Sequence, residues 1–134
     1  MIIVDAGPLI ALVDADDQFH SACVETFKQL TEPLGTVWPA LTEAMYILAD
    51  VPAGQDAVWE LLARNVVRML PLDDSDIPRM RALMRKYANR PMDLADAALV
   101  TVAERDDIRK VFTVDKTDFA VYRLHGRSRF TIIP

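Results

Sequence analysis

A chain of 134 residues, 51% hydrophobic and 26% charged, has the composition of one globular domain with a substantial core, which excludes an intrinsically disordered segment. Its net charge of −5 excludes a protein that coats nucleic acid electrostatically, but not an enzyme whose local basic rim surrounds an acidic, metal-filled centre. The single cysteine, Cys23, excludes an internal disulfide, and no apolar run approaches the ~20 residues that span a bilayer.

The chain opens on Met1-Ile2-Ile3-Val4-Asp5. Branched apolar residues without alternation predict a strand covered on both faces. Ala6-Gly7-Pro8 breaks that strand, and Leu9 to Val13 continue as a helix, since proline is tolerated in a first helical turn. Asp5 therefore falls at the carboxyl end of a buried parallel strand, where open α/β sheets place their ligand crevices. Taken alone, Asp5 reads first as a turn or N-cap aspartate. It also interrupts the apolar start, so no secretory leader is expected and the protein reads as soluble and cytoplasmic.

Asp14-Ala15-Asp16-Asp17 is a polar turn. The spacing of Phe19, Ala22, Cys23, Thr26, Phe27 and Leu30 then predicts a helix over 18–30, with Cys23 a buried thiol in its apolar stripe. His20 has no second His or Cys near it to make a zinc set. Thr36-Val37-Trp38 is a short strand candidate closed by Pro39, and 40–49 reads as a helix with Leu41, Ala44, Met45 and Leu48 on one face. Glu43 lies in its first turns, where the helix dipole favours an acid, so a structural reading stands beside a functional one. A helix follows over 55–64, with Trp59 either packed or meeting a partner. Val66 to Leu70 is a second clear strand, ended by Pro71.

Asp73 to Asp76 offers N-caps for a helix that holds Pro78 in its first turn and runs to about Tyr87. Arg79, Arg81, Arg85, Lys86 and Arg90 form the densest basic patch of the chain, either a solvated helix face or a phosphate contact. From Met92 to Arg105 apolar residues cover almost the whole circumference of a helix, which predicts burial. Asp93 and Asp96 stand in its first turn on one face. Asp93 has an N-cap role. Asp96 has none, and an ionised carboxylate beside Leu99 and Val100 costs several kcal/mol unless a cation or donors compensate.

Lys110 to Val114 is a third strong strand, again followed by an acid, Asp115. Lys116 to Phe119 turns into a short helix, with Asp118 as its cap or as an outer acid. Arg123, His125, Arg127 and Arg129 make a mildly basic stretch before a last strand over 130–133. Strands alternating with helices predict an α/β three-layer sandwich, a central and mostly parallel sheet flanked by helices, in a single domain over 1–134.

In such a sheet, strand ends and helix starts gather at one edge. Asp5, Glu43, Asp96 and Asp115 then converge, with Asp93 and Asp118 nearby and no histidine or cysteine among them. Acids that close repel, so some are protonated or a cation sits between them. Oxygen-only ligands point to Mg²⁺ or Mn²⁺, and such ions assist in-line attack of water on a phosphodiester. A phosphoaspartate phosphatase of the haloacid-dehalogenase type would want a second Asp at position 7, which is Gly.

Four segments, Val4-Asp5-Ala6-Gly7-Pro8-Leu9-Ile10, Leu41-Thr42-Glu43-Ala44, Asp93-Leu94-Ala95-Asp96-Ala97-Ala98-Leu99-Val100 and Thr113-Val114-Asp115-Lys116-Thr117-Asp118-Phe119, follow one another in an order and spacing that resembles PIN-domain ribonucleases. The chain looks most like the toxin half of bacterial VapBC toxin–antitoxin pairs, over its whole length. The resemblance implies that Asp5, Glu43, Asp96 and Asp115 are the metal-centred catalytic acids, with Asp93 and Asp118 auxiliary. Many members carry Thr, Ser or Asn after the first Asp; this chain has Ala6, and Thr113 is the other possible hydroxyl. The resemblance further implies Mg²⁺-dependent cleavage of structured RNA, homodimers, and a small antitoxin that directs a basic side chain towards the acids. The alternative is a non-catalytic PIN-like module that binds RNA or supports assembly.

Overall fold

The structure, a computed structural model, describes all residues from 1 to 134. In chain order its elements are β1 (Ile2–Val4), α1 (Ala6–Val13), α2 (His20–Gln29), β2 (Leu34–Thr36), α3 (Trp38–Leu48), α4 (Gly54–Ala63), β3 (Val67–Met69), a 3₁₀ turn (Asp74–Asp76), α5 (Ile77–Lys86), α6 (Leu94–Arg105), β4 (Lys110–Phe112), α7 (Lys116–Val121), β5 (Arg123–Leu124), β6 (Ser128–Arg129) and β7 (Thr131–Ile133). Five strands form one parallel sheet in the order β3-β2-β1-β4-β7, while β5 and β6 make a separate antiparallel hairpin.

Alternation along the strands divides the core into two layers. Ile3 pairs with Val111 and both point to one face, packed with α6, Leu83 of α5 and Phe119 of α7. Ile2, Val4 and Phe112 point to the other, against Ala6, Leu9 and Ala11 of α1 and Cys23 of α2. These strand residues are all essentially inaccessible, which accounts for their unbroken apolar sequence. Helix α6 is buried from Ala95 to Glu104, as a helix apolar on every side must be. The expected three-layer α/β sandwich is therefore present. No helix is long and apolar enough to cross a membrane.

The chain winds outward from β1 to β2 and β3, then returns across β1 to β4 and β7. The reversal lies between β1 and β4. Their carboxyl ends consequently flank a topological switch point, the place where parallel sheets leave a crevice.

Three local expectations shift. The strand anticipated at Thr36-Val37-Trp38 is Leu34–Thr36, and Val37 instead caps α3, whose first turn holds Pro39. Pro39 thus opens a helix rather than closing a strand. Gly35 carries that strand because a Cβ there would meet the Leu70 side chain at 2.8 Å. Similarly α1 begins at Ala6, directly behind β1, with Pro8 inside it. The mildly basic stretch before the last strand is the β5–β6 hairpin, tied to α6 where Glu104 accepts the His125 backbone N–H.

Candidate active site

Three helices at the carboxyl edge of the sheet start behind an aspartate. Asp5 caps α1 by accepting the Ala6 N–H at 2.8 Å. Asp93 caps α6 by accepting the Asp96 N–H at 2.8 Å. Asp115 caps α7 by accepting the Asp118 N–H at 3.3 Å. Capping and an acidic cleft are here one arrangement, because each helix N-terminus supplies free N–H groups and partial positive charge for a carboxylate. Asp118 is not the cap of α7, which is Asp115; it stands in the first turn.

All six acids singled out in the sequence line one cavity of about 220 Å³: Asp5, Glu43, Asp93, Asp96, Asp115 and Asp118. Asp5 and Asp96 are buried, Asp118 is half-buried, and Glu43, Asp93 and Asp115 stand exposed at the rim. Glu43 is brought there by α3, which starts immediately after β2.

The electrostatics follow the burial. Burial pushes the Asp5 carboxyl up to about 6, with Asp93 and Asp115 adding to the rise while the Ala6 N–H and Thr113 hydroxyl oppose it. Burial pushes Asp96 to about 7, opposed by a hydrogen bond from Tyr122 and assisted by Asp93 and Asp5. Glu43 is raised by partial burial and by the charges of Asp93, Asp5 and Asp115. Asp115 is raised by partial burial and by its neighbour Asp118. Burial opposes ionisation of Asp118 too, but hydrogen bonds with Asp115 and Arg90 outweigh it and hold that carboxyl below its usual range. Acids that resist ionisation in one another's presence mark a candidate functional site, since a nearby positive charge would favour their ionised forms.

Three side chains outside the cavity lining bond to its acids. Thr113 donates its hydroxyl to Asp5 Oδ2 at 3.1 Å and accepts the Asp115 N–H at 2.9 Å, supplying the hydroxyl that Ala6 lacks. Tyr122 donates to Asp96 Oδ2 at 2.8 Å. Arg90 donates to Asp118 Oδ1 at 2.6 Å, while its other guanidinium nitrogens make no hydrogen bond within the chain. Sequence reading missed Tyr122, since nothing local relates it to an acid 26 positions upstream. It treated Arg90 as part of one basic patch, which the structure divides. Arg79, itself partly exposed, is committed to a two-pronged pair with the buried Glu104, at 2.7 and 2.9 Å. Arg81 and Arg85 line a groove with Ile77, Met84 and Leu94.

The donor set fits a hard divalent cation: six carboxylates, oxygen only, with no His or Cys in the lining. No three of them stand as a closed set of ligands around one point.

The sequence pattern of the PIN domain matches residues 2–123. The chain belongs to the PIN-domain family. It is 29% identical to Ribonuclease VapC26 of Mycobacterium tuberculosis, over 99% of this chain and 100% of that protein. Its fold matches the crystal structure of VapC20 from the same organism, described as a Sarcin-Ricin loop cleaving toxin, with a TM-score of 0.79 at 18% identity over 87% of this chain and 92% of that one. It also matches a chain of a toxin–antitoxin complex from Klebsiella pneumoniae, with a TM-score of 0.72 at 14% identity over 100% of this chain and 97% of the other. The PIN fold is what these structural likenesses establish. Four of the six acids that line the cleft, Asp5, Glu43, Asp96 and Asp115, are those that the family resemblance singles out.

Proposed function

We propose that this PIN domain, over residues 1–134, is a Mg²⁺-dependent endoribonuclease and the toxin of a toxin–antitoxin pair. One observation carries the reading: six carboxylates, two of them buried and resisting ionisation, line one cavity at the switch point of the sheet. The likeness to Ribonuclease VapC26 supplies the activity class. Asp5, Glu43, Asp96 and Asp115 would hold the ion, with Asp93 and Asp118 as auxiliaries and Mn²⁺ as a substitute. When bound, the ion makes water a stronger nucleophile and steadies charge on the leaving oxygen of the phosphodiester.

The chain's own groups do the rest. Thr113 and the Ala6 N–H fix both oxygens of Asp5. Arg90, anchored on Asp118 through one nitrogen, offers its free donors to a phosphate of the RNA backbone. Unionised Asp5 or Asp96 gives up its proton when the site fills, so occupancy favours neutral pH over acid.

The partners follow from surface chemistry. An acidic cleft invites the basic side chain of a small antitoxin, and one structural relative is a toxin–antitoxin complex. A homodimer would cover the exposed Trp38, Tyr46, Ile77, Met84 and Leu94, which line two grooves of about 560 and 590 Å³ that meet at Leu94. A protein with RNA as its substrate would meet it in the cytoplasm.

The second reading, a non-catalytic RNA-binding or assembly module, is favoured by the absence of a closed ligand set and by Arg90 already neutralising Asp118. Cleavage of total bacterial RNA by the purified protein separates the two. Discrete fragments in Mg²⁺ or Mn²⁺, absent in EDTA and absent with Asp96→Asn, support the nuclease. Tight RNA binding without cleavage or metal uptake supports the module.

A further inference from the structure

Tyr122 ends α7 as its C-cap residue and is fully buried. Its ring is held edge-on by Tyr87 at 5.0 Å and by Phe119 at 5.2 Å between centroids, and Phe119 is held in turn by Phe130 at 5.6 Å. Such pairs fix a ring's plane as well as filling space. The hydroxyl therefore has one place to go. It donates to Asp96 Oδ2, and no other polar group within the chain contacts it.

The second oxygen, Asp96 Oδ1, accepts no hydrogen bond from the chain, although Asp96 lines the acid cavity. The backbone end of Asp96 is pinned through its N–H to Asp93. One carboxyl group is thus fixed at its backbone and at one oxygen, with the other oxygen left unclaimed. This is the arrangement by which outer hydrogen bonds orient a metal-binding carboxylate.

We propose that Tyr122 is the positioning residue of the cleft: its hydroxyl clamps Asp96 Oδ2 so that Oδ1 is held ready for the activating cation. The proposal rests on the reading of the cleft as a metal site. It distinguishes Tyr122 from a core filler, because the ring alone would satisfy the core and only the hydroxyl would serve the site. A phenol buried in an aromatic cluster needs a partner in any case, and Asp96 provides it. The clamp reaches the metal through Asp96 and touches neither RNA nor the reacting atoms.

The test is Tyr122→Phe, which keeps the ring and removes one oxygen atom. Calorimetry with Mg²⁺ and with Mn²⁺, in the absence of RNA, reads metal affinity directly. The expected result is affinity roughly 10–100-fold weaker than in the unaltered protein, with RNA binding in EDTA unchanged. Cleavage then shows a reduced kcat at an unchanged KM for RNA, partly recovered at raised metal concentration. In an Asp96→Asn background, Tyr122→Phe should have no further effect on metal affinity, whereas a purely structural role would add its cost in both backgrounds. Equal metal affinity in Tyr122→Phe and the unaltered protein overturns the clamp and leaves the nuclease reading intact. No metal uptake by the unaltered protein overturns both.

Discussion

Thr113 and Asp5 are joined by a 3.1 Å hydrogen bond just past the ends of adjacent strands, although 108 positions separate them in the chain. The same hydroxyl accepts the Asp115 N–H, so one oxygen atom couples the acids that follow β1 and β4. Thr113→Val keeps the shape of the side chain and removes both bonds. The expected outcome is a loss of about 1–3 kcal/mol in urea unfolding, because the buried Asp5 oxygen and the Asp115 N–H lose their partner together. Cleavage should fall with it, and Thr113→Ser should restore both. A Val variant as stable and as active as the parent would refute the coupling.

Asp96→Asn separates the chemistry of the site from its folding. Asn keeps the volume and can still accept from Tyr122, but carries no charge. Cleavage should be lost by at least roughly the 100-fold that removing an outer partner can cost. Thermal stability without metal should be equal or higher, since burial first, and then the charges of Asp93, Asp5 and Asp118, resist the ionisation of Asp96. A large drop in metal-free melting temperature would instead make Asp96 a structural residue.

The raised carboxyls also set a pH dependence with a definite sign. Asp5 titrates at about 6 and Asp96 at about 7 in the folded chain, against 3.8 for an ordinary Asp. Between those values the folded state holds more protons than the unfolded state, so stability falls as pH rises. Metal-free protein in EDTA should lose on the order of a few kcal/mol between pH 4 and pH 7. Asp118 and Glu104 pull the other way, but as lowered carboxyls they act at or below pH ~4.5. Added Mg²⁺ should restore stability, and more strongly at pH 7 than at pH 5, because its ligands must be ionised. Denaturant midpoints that are flat or rising across this window in EDTA would contradict the burial of Asp5 and Asp96.

How much of this was legible in the sequence depends on how local each signal is. Asp5, Asp93 and Asp115 announce themselves because each stands where an apolar strand or a loop gives way to a helix. Their capping role and their place in the cleft have one cause, the gathering of helix N-termini at the sheet's carboxyl edge. Asp96 is legible as an acid on an otherwise apolar helix. The strand Leu34–Thr36 is not, because Pro33 and Gly35 mimic a turn, and only the neighbouring strands β1 and β3 make an extended conformation pay there. The roles of Tyr122 and Arg90 depend on contacts 26 and 28 positions away, for which the local pattern holds no signal. Arg79 looked like its neighbours and is distinguished only by the buried Glu104 opposite it.

Arg90 decides whether the cleft's own cation helps RNA to bind or merely quiets an acid. It is anchored to Asp118 by one nitrogen at 2.6 Å, and phosphates approaching six acids need a positive group to meet. If Arg90 serves the phosphate, Arg90→Ala raises KM for RNA with little change in kcat. It also lowers the salt dependence of RNA binding by about one counter-ion. Arg90→Lys should recover part of the loss, since a point charge replaces a forked donor. Metal affinity should stay the same or tighten, because Asp118 regains its full charge for the cavity. If Arg90 only neutralises Asp118, the Ala variant binds metal more tightly and cuts RNA as well as or better than the parent, with an unchanged salt slope. The two outcomes differ in the sign of the effect on cleavage, so one set of rates across a salt series chooses between them.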